Sequence, residues 1–325
     1  MMPITRRHAV NSLAALASSP LVLPLALAQD VYPSKPIRII LPYTGGGSAD
    51  GLARAFADQL RASFGQPVIV ESRPGANSML GAELVAKSPN DGYTLLYVGW
   101  PTIGTNVAVY KDIRYKLDDF QPITTIFRSP VSLTVRKDFP ANNLAELIAH
   151  IRKQGRMSYG TAGAGSSPHL LLERMKQALG VVLEHVPYKG EGPAVLDVLG
   201  GHLPMFAGSI ATPVQHIRSG ALKVIATSAD ERLAAFPEVQ TFKEAGFADQ
   251  VFTYWHGFAA PAGTPRPIID KLHAAIVAAI STPQVRAAIG PDQIATTMSP
   301  EAFTALIRKD VATWTPVIRA NNLTE

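Results

Sequence analysis

The hydrophobic positions of this chain follow two alternating rhythms. Short unbroken apolar runs such as Ile37–Leu41 read as buried strands, and the stretches between them space apolar residues by three or four, as helices do. Leu52, Phe56, Leu60 and Phe64 lie four apart, with Arg54, Asp58 and Arg61 on the other faces and Gly65 as the stop. A second strand is predicted over 68–70. The turn Arg73-Pro74-Gly75-Ala76-Asn77 leads to a helix ending near Lys87, and Pro89-Asn90-Asp91-Gly92 turns the chain into a strand over 93–98. Extended stretches over 122–127 and 131–135 flank Arg128-Ser129-Pro130, where the pattern places a crossing into a second domain.

There the alternation restarts. Asn143 and Glu146 form a capping-box-like start for a helix ending near Lys153, and a strand follows over 157–160. Ser167 as N-cap and Pro168 at the first helical position open a helix closed by Gly180. Strands are expected over 182–186, 203–206 and 222–227 with helices between them, then a return strand over 251–258. Helices over 267–280, 283–289 and 300–320 finish the chain and fit a segment packed back on the first domain. The fold class is therefore α/β, in two domains.

Composition narrows this. The 325 residues are 47% hydrophobic and 17% charged, enough for two ordinary cores. Net charge is +5, of which Arg6 and Arg7 supply two units. Without the first 28 residues it falls to about +3, and no basic-aromatic interleave exists, so nucleic acid is not an expected partner. Cysteine is absent, which removes disulfides, thiolate metal sites and cysteine nucleophiles. Thr5-Arg6-Arg7, an apolar stretch over 9–27 and Ala26-Leu27-Ala28 read as a cleaved signal peptide, 1–28. Pro20 and Pro24 interrupt the run and weigh against a membrane anchor; the arginine pair is only a weak sign of twin-arginine export.

Candidate chemistry gathers at two glycine-rich junctions, Pro42-Tyr43-Thr44-Gly45-Gly46-Gly47-Ser48-Ala49-Asp50 and Tyr159-Gly160-Thr161-Ala162-Gly163-Ala164-Gly165-Ser166-Ser167-Pro168-His169. Each leaves a predicted strand and enters a predicted helix, so each can offer backbone N–H groups and a positive helix end to a small anion. Neither contains Lys or Arg. No Gly-Lys-Ser/Thr follows either one, which removes a phosphate loop. Ser166, Ser167 and His169 invite a hydrolase reading, but no G-x-S-x-G elbow is present. His169 and Glu173, four apart, suit half a metal site, with an ordinary surface pair or a helix-start contact as the plainer reading. For Trp255, core and pocket wall both stay open.

The motifs also carry a family resemblance. Tyr32-Pro33-Ser34-Lys35-Pro36-Ile37-Arg38, Pro42-Tyr43 with Gly46-Gly47-Ser48 and Asp50, Gly65-Gln66-Pro67-Val68, Glu71-Ser72-Arg73-Pro74-Gly75-Ala76 and Asp91-Gly92-Tyr93-Thr94-Leu95 occur in order. Tyr159-Gly160 with Gly163 and Gly165, His185-Val186-Pro187-Tyr188-Lys189-Gly190 and Ala259 with Pro261-Ala262-Gly263-Thr264-Pro265 follow. In these pieces the chain resembles the Bug-type (TctC-like) extracytoplasmic solute receptors of tripartite tricarboxylate transporters.

The resemblance implies a type II periplasmic-binding-protein-like fold with a ligand cleft between two lobes, 29–128 with 255–325 and 129–254. It implies a periplasmic, non-catalytic monomer without cofactor or metal, binding a small organic or aromatic carboxylate and partnered by transporter membrane subunits. The implied ligand-binding residues are Tyr43, Gly46, Gly47, Ser48 and Asp50 from the first loop, and Thr161, Ala162, Gly163, Gly165, Ser166 and Ser167 from the second. Gly99, Trp100, Thr102, Trp255 and His256 are implied walls. Ala207 stands where many relatives place an Asp that partners an amino group, which favours a ligand without an ammonium. A periplasmic hydrolase or isomerase using Ser166 and His169, or a ligand sensor, are the alternative functions.

Overall fold

Ile37, Ile39, Ile40 and Leu41 have no exposed surface, so the first apolar run becomes an interior strand and not an edge. The computed structural model describes residues 32–324, and the signal peptide read at 1–28 lies outside them. From Lys35 onward the chain forms one body. It begins with β1 (Ile37–Leu41), α1 (Ser48–Phe64), β2 (Val68–Ser72), α2 (Met79–Ala86) and β3 (Thr94–Gly99). Leu52, Phe56 and Leu60 form the buried face of α1, and Gly65 ends it in the left-handed conformation. A π-helical turn, Pro101–Thr105, runs into α3 (Asn106–Val109), which the apolar pattern does not announce.

Next come β4 (Phe120–Pro130), β5 (Ser132–Arg136), α4 (Leu144–Gln154), β6 (Met157–Thr161), α5 (Ser167–Leu179) and β7 (Leu183–Pro187). The chain continues through α6 (Glu191–Gly200), β8 (Met205–Gly208), α7 (Val214–Arg218), β9 (Leu222–Thr227) and β10 (Thr253–Pro261). It closes with α8 (Arg266–Ile280), α9 (Pro283–Ala288), β11 (Ile294–Ala295) and α10 (Pro300–Ala320).

Two sheets result. The first has the order β11-β4-β10-β3-β1-β2 and the second β7-β6-β8-β5-β9. Within the first, β1 pairs in parallel with β2 and β3, and β10 lies antiparallel between β3 and β4. One expectation is corrected here. Arg128-Ser129-Pro130 is not a break but the end of β4, an 11-residue strand. Its prolines are tolerated because Pro122 sits at a register shift against β10, while Pro130 is the last residue and beyond the two-residue cover of β11. The crossing to the second sheet is therefore the single residue Val131.

Ser228 fastens that crossing to the return one. Its N–H donates to Val131 O (2.8 Å) and its hydroxyl to Phe252 O (2.6 Å), while Val131 N–H and Phe252 N–H donate back to it at 2.8 Å each. Ser228 has no exposed surface, so these bonds act without competition from water.

Candidate ligand cleft

The first loop, between β1 and α1, is held from below and open above. Asp50 Oδ2 accepts the Gly46 N–H and the Arg54 Nε–H, both at 3.0 Å. The Arg54 bond, then the Gly46 bond, keeps this carboxyl below its ordinary range. Residues 44–48 are exposed, and a Cβ added at Gly46 would meet nothing within 4 Å. Gly47 caps α1 without any side-chain bond, so the N–H groups of Gly47, Ser48 and Ala49 have no intrahelical acceptor. Asp50 anchors the loop and leaves those amides free.

Behind it lies a polar floor. Tyr43 Oη is 3.5 Å from Thr102 Oγ1, which is 2.8 Å from Ser78 Oγ. Asn106 Nδ2 donates to Asn77 O (2.8 Å) and Asn77 Nδ2 to Asn106 Oδ1 (3.1 Å). These bonds hold Ala76, Asn77 and Ser78 at φ of 46°, 48° and 72°, three successive left-handed residues without a glycine. Glycine is required at 99 because a Cβ would stand 2.1 Å from Tyr43 Oη and 3.2 Å from His256 Cε1. His256 stacks on Phe127 at 4.7 Å; burial pushes its imidazole down to about 3 and Tyr43 up to about 12, so both are neutral. His256 Nδ1 and Tyr97 Oη are buried without a partner.

The second loop, between β6 and α5, is built differently. Its polar atoms turn inward. Thr161 Oγ1 accepts the Gly163 N–H (3.2 Å) and the Ser166 Oγ–H (3.2 Å), and it lies 2.7 Å from His185 Nε2. Gly165 N–H donates to His169 Nδ1 at 3.0 Å, and Ala162 O accepts the Gly190 N–H at 3.1 Å. The His169 and His185 rings stack at 3.7 Å; burial pushes them down to about 4 and about 3. Glu173 Oε1 accepts from Tyr159 Oη at 3.2 Å and Lys176 pairs with Glu173 at 2.5 Å.

Several expectations change. His169 and Glu173 are buried and not a surface pair, and His169 makes the helix-start contact instead, its Nδ1 accepting the Gly165 N–H. The N-cap of α5 is Ser166, with Ser167 as the first helical residue, because Ser166 keeps extended dihedrals while its hydroxyl ties back to Gly163 O (2.7 Å). The Ser166 hydroxyl bonds to Gly163 O and Thr161 Oγ1 and not to His169, the contact that a hydrolase would use.

Trp100 and Trp255 are core, not cleft walls. Both indole N–H groups donate to Asp310 Oδ2 of α10, at 3.1 and 2.7 Å, and neither ring has appreciable exposed surface. Strand alternation puts Trp255 on the opposite face from His256. Ala207 is likewise fully buried, paired with Leu133.

The two loops meet the same segment. The first reaches Thr102 through Tyr43, and the second brings Gly165 to Val109, whose Cγ1 would lie 3.5 Å from a Cβ there. Helical rise between residues 102 and 109 is about 10 Å, the scale of a small organic acid. A separate hollow of about 360 Å³ is lined by Arg128, Thr253, Thr296 and loop 229–234. Among the described residues no group of His, Asp and Glu is placed to hold a metal ion, and no helix is long and apolar enough to cross a membrane.

Sequence reasoning missed Asn77, Ser78, Asn106 and Tyr97. For the first two the Pro-Gly turn followed by Asn was the available signal; for the others there was none beyond strand alternation.

Two α/β lobes joined by crossing strands, each with a helix start at the carboxyl ends of its strands, define a two-lobed solute-binding protein. Residues 52–323 match the model of the tripartite tricarboxylate transporter family receptor, and the chain belongs to that family. It is 33% identical to Protein BugT of Bordetella pertussis over 324 residues, 98% of each chain. Among solved structures it is similar to a periplasmic transporter (34% identity, 90% of this chain and 99% of that one, TM-score 0.81). It is also similar to a Rhodopseudomonas palustris protein solved with adipate (28%, 89% and 97%, TM-score 0.80). MatC of the same organism, with bound malate, matches at 29% identity over 88% and 100% of the chains, TM-score 0.77.

Proposed function

We propose that this protein is an exported, non-catalytic receptor that captures a small carboxylate and delivers it to the membrane subunits of a tripartite tricarboxylate transporter. The observation that carries the reading is the first loop. Its amides at 47–49 have no intrahelical acceptor and stand at the start of a 17-residue helix, on exposed Gly47 and Ser48 and half-buried Ala49, with Asp50 buried beneath. Such an end attracts an anion by oriented dipoles. The malate and adipate of the two R. palustris relatives support an organic acid as the ligand class.

In this reading the ligand carboxylate meets the N–H groups of Gly47 and Ser48 first, with Tyr43 and Thr102 alongside. Lobe two then swings about the Val131 and Phe252 crossings, and the second loop closes over the ligand. Each charge-assisted bond contributes about 1.5–3 kcal/mol, so a few give micromolar affinity after ordering costs. The closed form is what the membrane partner reads. Export through cleavage after Ala28 and action as a monomer belong to the same proposal.

A thermal-shift screen of monocarboxylates, dicarboxylates, amino acids and aromatic acids tests it. Stabilisation by a subset of acids without any turnover is expected. Turnover abolished by Ser166→Ala would instead establish the hydrolase reading.

A further inference from the structure

Glu191 opens α6 and keeps part of its surface open. Its Oε1 accepts the Ser209 N–H at 3.0 Å and its Oε2 the Thr212 hydroxyl. Gly208 makes room for it, since a Cβ there would stand 2.6 Å from Oε1. Asp292, fully buried, reaches the same serine from lobe one. Its Oδ2 accepts Ser209 Oγ–H (2.7 Å), Ser129 Oγ–H (3.1 Å) and Ile210 N–H (2.9 Å), while Oδ1 has no partner. Ser209 thus bridges two carboxyls, and neither forms an ion pair with any lysine or arginine of the described residues.

The pair sits at the far end of the polar floor. Tyr254 pairs in register with Ser129, whose hydroxyl donates to Asp292, and the negative charge of Asp292 and Glu191 adds to burial in raising the Tyr254 hydroxyl. The Tyr254 ring is 6.1 Å from His256, which is 6.0 Å from Tyr43. A continuous strip therefore leads from the first loop to Glu191, with amide donors at one end and carboxyl acceptors at the other. An acceptor-rich end without a cation attracts N–H or O–H groups and repels a second carboxylate.

We infer that Glu191 sets the specificity of the cleft: resting on the carboxylate reading above, it receives the far end of the ligand, and that end is a hydrogen-bond donor, an ammonium or a hydroxyl. Burial, partly offset by the Thr212 and Ser209 bonds, pushes Glu191 up to about 7, the direction of a carboxyl lacking a cation. The absence of an acid at 207 then does not exclude an ammonium, because this carboxyl lies against the neighbouring Gly208.

The test is calorimetry on the full mature chain with acids that differ only at the far end. One set is butyrate, γ-hydroxybutyrate, γ-aminobutyrate and glutarate; the other is benzoate with para hydroxyl, amino or carboxyl groups. A donor-bearing acid should bind at least about tenfold tighter than its dicarboxylate, and Glu191→Gln should shrink that ratio by about tenfold. The wild-type ranking stands as evidence even if the variant does not fold. Preference for the dicarboxylate, or a ranking unmoved by Glu191→Gln, overturns this inference alone. No acid of either set binding the wild type overturns it together with the carboxylate reading.

Discussion

The two glycine loops look alike in sequence and differ in what they offer. The first spends one N–H, that of Gly46, on Asp50 and leaves the next three without an acceptor. The second uses the N–H of Gly163 on Thr161 and that of Gly165 on His169, over a buried layer of stacked imidazoles. One loop is a set of free donors on a rigid helix start, and the other is a braced surface that can press against a ligand without reorganising. Glycine content alone does not separate these roles; the residues four positions on, Asp50 and His169, do.

The sharpest way to break this contrast is Gly47→Val. Gly47 has φ of −86° and a Cβ would meet only Thr44 O at 4.0 Å, so folding survives while the branched side chain covers the amides. Affinity should fall about a hundredfold or more, the equivalent of two charge-assisted bonds. Unchanged affinity by calorimetry removes the first loop from the site.

Acid should attack the second loop. His169 and His185 are neutral when folded, at about 4 and about 3. The unfolded chain takes up protons below pH about 6.5 and the native one does not, so stability is complete above that pH and falls as pH drops toward 4. His169 alone accounts for on the order of 3 kcal/mol, which urea unfolding at several pH values would read. His169→Phe keeps the ring stack but orphans the Gly165 N–H. It should cost about 1–3 kcal/mol of stability and flatten the acid limb.

Asp50→Asn is the milder counterpart in the first loop. It removes the charge from the Arg54 and Gly46 bonds, and a loss of about 1 kcal/mol with a few-fold weaker binding is expected. Ser166→Ala should change binding least, about twofold or less, because its hydroxyl bonds only within its own loop. A large loss there would mean that the second loop, too, donates to the ligand.

Much of the fold was legible because the interior strands β1 and β3 carry continuous apolar runs and the long helices spaced ones. What escaped was local. The π-helical turn 101–105 and the two-residue β11 have no periodicity to read, and proline hid the end of β4. In the site, the period of two sends Trp255 and His256, neighbours on β10, to opposite faces, and of the two readings open for Trp255 its burial supports the core. Glu191 escaped for another reason: its importance comes from Ser209 and Asp292, which are distant in sequence and close only after folding.

The shared carboxylate of Asp310 has an optical consequence. Trp100, Trp255 and Trp314 are the only tryptophans of the chain; two are tied to that one side chain, and Trp314 lies 5.6 Å from Trp100. Intrinsic emission therefore comes from a single dry spot under the last helix. Phe252 packs edge-on against Trp100 and Trp314 at 5.3 and 4.9 Å, and Arg174 of lobe two lies 4.6 Å over the Trp314 ring, so that emission will follow melting of the spot and will also register a swing of lobe two about the Phe252 crossing.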